Sequence, residues 1–305
     1  MRKQLCDALV SRAERPDMVF LTGDLGFMAL EPLQQALGRR FINAGVAEQN
    51  MISVSAALAR QGLEAWVYSI APFCYARPFE QIRNDIAFHG LPVRLIGNGG
   101  GYGYGVMGPT HHAIEDYGVL LTLPNIQALI PVFDQDVGDV IVRAGQSPLA
   151  TYIRLGRGEP PAGFDVPDYA PWRQLTKGGG VPIIAVGPLA GTYINAIEQM
   201  AEQRRPNLWA LSELPLSLNL PPSLLMQQID EHRAVCIAEE HVERGSFATE
   251  FALHLLREGT NARIRHLCAQ AHHYPRYGSQ AYLRQQSGLD PQSLINAIDT
   301  LKPHS

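Results

Sequence analysis

Residues 40–52 read Arg40-Phe41-Ile42-Asn43-Ala44-Gly45-Val46-Ala47-Glu48-Gln49-Asn50-Met51-Ile52. Phe41 and Ile42 make a short apolar, strand-like piece, and Ala44 and Gly45 a small-residue turn. Glu48 then opens a segment rich in Ala, Ser, Val and Leu that predicts a helix running to Arg60. A carboxylate at the mouth of an apolar helix has two readings. It is an end charge favoured by the helix dipole, or it is a working group. Its neighbours must decide between them.

Upstream, an amphipathic helix (Leu5, Ala8, Leu9, Ala13) precedes the apolar run MVFLT at 18–22, read as a buried strand. That strand ends at Gly23-Asp24-Leu25-Gly26. The carboxyl end of a strand is where open parallel sheets place ligand contacts, and a solvated turn is the plain alternative. Downstream, a strand at 65–69 leads into Ile70-Ala71-Pro72-Phe73, and a helix is predicted over 77–88 with the polar face Glu80, Arg83, Asn84. A strand at 92–97 enters the glycine-rich segment 98–116. Residues 103–108 match the dinucleotide pattern GxGxxG letter for letter. That pattern belongs directly after a strand and at the start of a helix; here the glycines run on and Pro109 follows. The better reading is a loop made of glycine for close backbone approach, delivering His111 and His112 to a cleft. Adjacent histidines chelate metal poorly because neighbouring side chains diverge, so one catalytic or substrate-binding His is expected.

Further strands are predicted at 127–131 and 149–154 with a helix between them. Alternation of strands and helices at this length implies a parallel, helix-covered sheet. Proline and glycine crowd residues 158–180 and mark a connection. A second α/β unit follows, with strands at 181–186, 208–211, 234–238 and 263–267, helices at 190–203 and 247–257, and a last helix over 291–301 capped by Asp290.

The totals fit two domains in 305 residues, with 46% hydrophobic and 18% charged residues leaving ample core. A net charge of −4 gives no argument for nucleic acid or an anionic membrane surface. Cys6, Cys74, Cys236 and Cys268 form no CxxC pair and no metal spacing; they read as buried thiols of a reducing compartment. No apolar run or cleavage site follows Arg2 and Lys3, and no apolar stretch reaches the ~18 residues of a membrane span, so a cytoplasmic protein is expected.

Taken together, the motifs FLTGDLG (20–26), RFINAGVAEQNM (40–51), FEQIRN (79–84), GPTHHAIED (108–116), YIRLGRG (152–158), AEEH (238–241) and GSQAYLRQQSGLD (278–290) resemble the C-terminal half of transketolase-like, thiamine-diphosphate enzymes. The resemblance covers nearly the whole chain. It implies an α/β fold of two successive doubly wound domains. Residues 1–160 would form the pyrimidine-binding domain, 161–180 a linker, and 181–305 a transketolase C-terminal-like domain. The Gly-Asp-Gly motif and later Asn with which the family holds the diphosphate and Mg²⁺ or Ca²⁺ are not found in this sequence. The resemblance therefore implies one subunit of a split enzyme. A second, N-terminal-half subunit would carry the metal, with an α2β2 heterotetramer expected.

The same resemblance assigns roles. Glu48 takes the position of the carboxylate that activates thiamine diphosphate, in apolar surroundings. Phe73 matches the aromatic stacked on the pyrimidine, Ile70 and Leu25 apolar walls, and Asp24 an acid beside the cofactor. His111 matches the family's acid/base or hydrogen-bonding His at the reacting oxygens. Arg2 and Arg154 match arginines that grip a sugar phosphate. Met28, Gly99 and Met107 stand where transketolases carry a phosphate-binding Ser, a His and an acid, which points to a less phosphorylated or more apolar substrate. The implied activity is transfer of a ketol or acyl unit from a ketone donor to an aldehyde acceptor. The competing activity is that of a β-type subunit of a 2-oxoacid dehydrogenase or acyloin-forming enzyme, which shares this domain pair. A non-catalytic assembly subunit fits poorly with Glu48, Phe73 and His111 together.

Overall fold

Short apolar runs that end in glycine or a polar turn become strands buried on both faces, as parallel sheets covered by helices require. The computed structural model describes residues 1–270, 272 and 277–301. Its first sheet contains β1 (Met18–Thr22), β2 (Phe41–Asn43), β3 (Glu64–Ile70), β4 (Arg94–Asn98), β5 (Ile126–Leu129) and β6 (Ala150–Leu155). The second contains β7 (Trp172–Gln174), β8 (Gly180–Val186) and β9 (Pro206–Leu211), then β11 (Ala234–Glu239) and β12 (Arg263–Cys268). Between β9 and β11, the two-residue strand β10 (Glu213–Leu214) leaves its own domain and adds to the edge of the first sheet.

The strand orders are β10-β5-β6-β4-β3-β1-β2 and β12-β11-β8-β9-β7. All pairs are parallel except β10 with β5 and β7 with β9. Phe20 of β1 faces Phe41 of β2 on one side and Trp66 of β3 on the other. The chain leaves β1 for β2 in one direction and then crosses to β3 in the other. The carboxyl ends of β1 and β3 are therefore a topological switch point, where doubly wound sheets open a crevice for ligand.

Several elements depart from the sequence expectation in detail, among them the helix expected over 190–203, which ends at Glu198. The segment 161–180 is not only a connection, because β7 lies within it and pairs with β9. The helix expected over 77–88 starts late, at Phe79, and widens into a π-helix over Ile82–Ala87. Asp290 does cap the last helix, accepting from the amides of Gln292 and Ser293 at 3.0 and 3.1 Å.

One apolar cluster runs through both domains, joining Val67 and Leu95 of the first sheet to Ile184 and Ile237 of the second. Charge pairs, one of them fully buried, add direction to that contact. Arg173 of β7 reaches Asp136 at 2.5 Å, and Arg143 reaches Glu213 of β10 at 2.6 Å. No helix among the described residues is long and apolar enough to cross a membrane.

At the amino end of β3, Glu64 accepts from Arg12 Nη2 at 2.7 Å and from Trp66 Nε1 at 2.6 Å. Burial pushes this carboxyl up, but those donors outweigh it and hold it below the ordinary value of 4.5. A depressed carboxylate contributes stability above its unfolded pKa and loses it as pH falls through the folded value. Glu64→Gln should therefore be less stable than the native protein near neutral pH, and urea unfolding should show that gap closing as pH falls below the ordinary carboxylate range. A gap that stays constant with pH would contradict the assignment.

Candidate active site

The loops after β1 and β2 are stitched together before Glu48 is reached. Asn43 donates to Asp24 Oδ1 at 3.2 Å, while its own Oδ1 accepts from the Gly45 amide at 2.8 Å. The Asp24 amide in turn donates to the Gly45 carbonyl at 3.2 Å. Asp24 lies on this stitched turn, and Leu25 is half-buried against the core beneath it.

Glu48 is the first residue of the helix Glu48–Arg60 and is only 4% exposed. The helix N-cap is Ala47, which makes no side-chain cap bond, so Glu48 stands among backbone N–H groups left without a capping side chain. Its Oε2 accepts from Arg77 Nη1 at 2.8 Å. No hydrogen bond reaches its Oε1 among the described residues, so that oxygen is available to a ligand N–H. Beyond the apolar surroundings expected for Glu48, the structure gives it an arginine partner.

Ile70 ends β3 and starts the short helix Ala71–Tyr75 that carries Phe73. The Arg77 guanidinium carbon lies 4.3 Å from the centre of the Phe73 ring. His111 packs its ring edge-on to Phe73 at 5.3 Å between centroids and pairs Nδ1 with Thr110 Oγ1 at 2.9 Å. Glu48, Arg77, Phe73 and His111 thus form one contiguous line along the carboxyl edge of the sheet. The negative charge of Glu48 also reaches Cys74: burial first, and Glu48 second, push that thiol up to about 12. The two histidines part company, with His111 half-exposed and His112 buried edge-on against Tyr102.

A cavity of about 400 Å³ opens beside this line, and its walls include Arg2, Asn98, Tyr104 and Arg157. Asn98 donates to the Tyr104 hydroxyl at 2.6 Å, and the Tyr104 ring stands 6.3 Å from that of His111. Neither Met28 nor Met107 lines the cavity; Met28 is 96% exposed. Arg154 does not line it either. Its Nε donates to Asp116 Oδ2 at 2.7 Å, and its Nη2 donates to the carbonyls of Ala113 and Glu240 at 2.9 and 2.8 Å.

The structure therefore brings Glu48, Phe73 and His111 together, with Asp24, Leu25 and Ile70 on the adjoining loops and strand end. Arg2 is placed in the neighbouring cavity, and Arg154 in the interior. Sequence reasoning missed Arg77, Arg157, Tyr104 and Asn98. An available signal for Arg77 was its spacing four residues after Phe73, which sets a cation and an aromatic on one side of a helical turn. No group of three or more His, Cys, Asp or Glu side chains among the described residues is placed to hold a metal ion.

The chain is 31% identical over 192 residues to a subunit of the apulose-4-phosphate transketolase of Phocaeicola vulgatus, an alignment covering 61% of this chain and 62% of that one. It is 26% identical over 270 residues to the subunit of the same name from Actinobacillus succinogenes, covering 88% and 86%. A split-gene transketolase solved as an inactive β4 tetramer superposes with a TM-score of 0.82 and 27% identity, over 98% of this chain and 97% of that one. Residues 2–161 match the transketolase pyrimidine-binding domain, the part that holds Asp24, Glu48, Phe73 and His111, and the chain belongs to that family.

Proposed function

We propose that this chain is the pyrimidine-binding subunit of a split, thiamine-diphosphate-dependent transketolase-like transferase, moving a ketol or acyl unit from a ketone donor to an aldehyde acceptor. The observation that carries the reading is the contiguous line Glu48–Arg77–Phe73–His111 at the switch point of the first sheet. Two relatives named as transketolase subunits, and a split-gene transketolase of similar length and fold, support it.

The donor set suits an aminopyrimidine. A buried carboxylate with one open oxygen accepts a ring N–H, and an aromatic face four residues from Arg77 takes a flat heterocycle. The Arg77 guanidinium is itself a planar, nitrogen-bearing group seated against both Glu48 and Phe73. When bound, thiamine diphosphate supplies the nucleophilic carbon that the twenty protein side chains lack. Glu48 holds a proton at the pyrimidine ring nitrogen. Arg77 keeps that carboxylate oriented, and Asp24 sets the rim of the crevice. Leu25 and Ile70 exclude water from the apolar wall. His111 stands where it can hold or release a proton at the reacting oxygen. The diphosphate and its Mg²⁺ or Ca²⁺ are assigned to a partner of the N-terminal-half type, in an α2β2 heterotetramer. Four unpaired cysteines accord with a cytoplasmic setting.

The cavity wall carries Arg2 and Arg157 together with Glu159 and with Asp134, which the Met1 amine holds at 2.6 Å. Against the less phosphorylated substrate that Met28, Gly99 and Met107 point to, the two guanidiniums favour an anionic end group, such as a sugar phosphate. We therefore assign phosphate contact to Arg2 and Arg157, and give Arg154 the task of holding the site's scaffold.

Two outcomes test these roles. In the complex reconstituted with its partner, Glu48→Gln should lower turnover by about 10³-fold while the subunits still assemble, as judged by light scattering. Turnover close to that of the native complex would sink the role given to Glu48. Arg157→Ala should raise the KM for a phosphorylated donor by roughly 10–100-fold and leave that for pyruvate unchanged. Arg154→Ala should instead lower the melting temperature, because it strands buried Asp116. Equal effects of Arg157→Ala on both donors would remove the phosphate assignment.

A further inference from the structure

The glycine-rich loop that delivers His111 is held by the other domain. Its base is closed by the backbone of Gly101 and Ala113, which exchange two hydrogen bonds of 2.8 Å. The next amide, that of Tyr102, donates across the domain boundary to Glu240 Oε1 at 2.7 Å. Glu240 follows directly on β11 and is 4% exposed. Arg284 fixes the other carboxylate oxygen, donating from Nε at 2.9 Å and from Nη2 at 2.7 Å, and Gln280 adds a bond at 3.1 Å to Oε1.

The fit leaves no slack. A Cβ on Gly101 would lie 2.6 Å from the Glu240 carboxyl carbon, and one on Gly105 would lie 2.5 Å from the Gly278 carbonyl oxygen. Gly101 also adopts φ +63°, which side chains disfavour. The Tyr102 ring is fully buried with Ile114, Ala269 and Leu283, and its hydroxyl meets Ser287 Oγ at 3.0 Å. Two residues further on, the same loop places Tyr104 in the cavity wall, and it ends at Thr110 and His111.

We propose that Glu240, oriented by Arg284, is a positioning residue of the active site. It fixes the backbone of the loop at Tyr102 and thereby sets Tyr104 and His111, so the second domain has a part in the reaction without touching substrate. A charged acceptor suits this task, because a hydrogen bond to a carboxylate in a dry environment is shorter and stronger than one to a neutral group. The kinetic part of the proposal rests on the transferase reading; the structural part does not.

The test uses Glu240→Ala, Glu240→Gln and Arg284→Lys in the full chain. Amide hydrogen exchange is followed by mass spectrometry, and steady-state kinetics are measured on the complex with its partner. Glu240→Ala should accelerate exchange in the peptide spanning 99–108 by about tenfold or more, with β8 unchanged. Glu240→Gln, which keeps an acceptor oxygen, and Arg284→Lys, which keeps the charge, should each recover part of that protection. In the complex, kcat should fall by about tenfold while half-saturation by thiamine diphosphate stays unchanged, because Glu48 and Phe73 make no contact with Glu240. Unchanged exchange at 99–108, or equal acceleration in β8, would overturn the proposal. So would faster loop exchange with undiminished kcat. If Glu240→Ala fails to fold, the two milder variants decide by the same readings. If the native complex shows no transferase activity, the transferase reading fails, and the exchange data alone still decide whether Glu240 holds the loop.

Discussion

Burying the Glu48 carboxylate at the mouth of a helix demands positive charge nearby, and the local architecture is arranged to provide it. The helix dipole contributes its amino end, and Arg77 contributes a guanidinium at 2.8 Å. Arg77 can serve because its flat face rests on Phe73, and Phe73 is presented by the turn that follows β3. His111 closes the line, edge-on to the same Phe73 ring. One buried charge thus ties together the loops after β2, β3 and β4.

Much of this was legible in the sequence. Short apolar runs ending at glycine or a polar turn marked the long strands, because a strand covered on both faces has few polar positions to blur it. Local pattern marked Glu48 only as a carboxylate opening an apolar helix; the roles given to Glu48, Phe73 and His111 came from the resemblance of the assembled motifs to transketolase-like enzymes. What stayed hidden were matters of parity and distance. Arg154 lies in β6 on the same face as Tyr152, and both reach Asp116, whereas Arg157 lies past the strand end and lines the cavity. Two arginines three residues apart in YIRLGRG cannot be told apart without knowing where the strand stops. The pairing of Arg77 with Glu48, 29 residues apart, is a tertiary fact with no local pattern. Strands β7 and β10 are too short to show periodicity at all.

The second domain is more than a neighbour. It shares an apolar cluster with the first, grips the glycine-rich loop through Glu240, and receives Arg154 on the Glu240 carbonyl. His272 pairs with Glu115 at 2.6 Å, and Glu115 in turn accepts from Tyr75, on the helix that carries Phe73. Contacts from one domain therefore converge on both the loop bearing His111 and the helix bearing Phe73.

The excursion of β10 has a consequence for how the molecule comes into being. Ala128 and Leu129 of β5 find their antiparallel partners only in Leu214 and Glu213. Until that distant segment has been synthesised, β5 is the unpaired border of an otherwise finished sheet. Such a border invites pairing with any extended chain within reach. The nascent first domain therefore carries an adhesive margin from the completion of β6 at Leu155 until Glu213 and Leu214 are made, and it is sealed from within by a strand borrowed from the domain that follows.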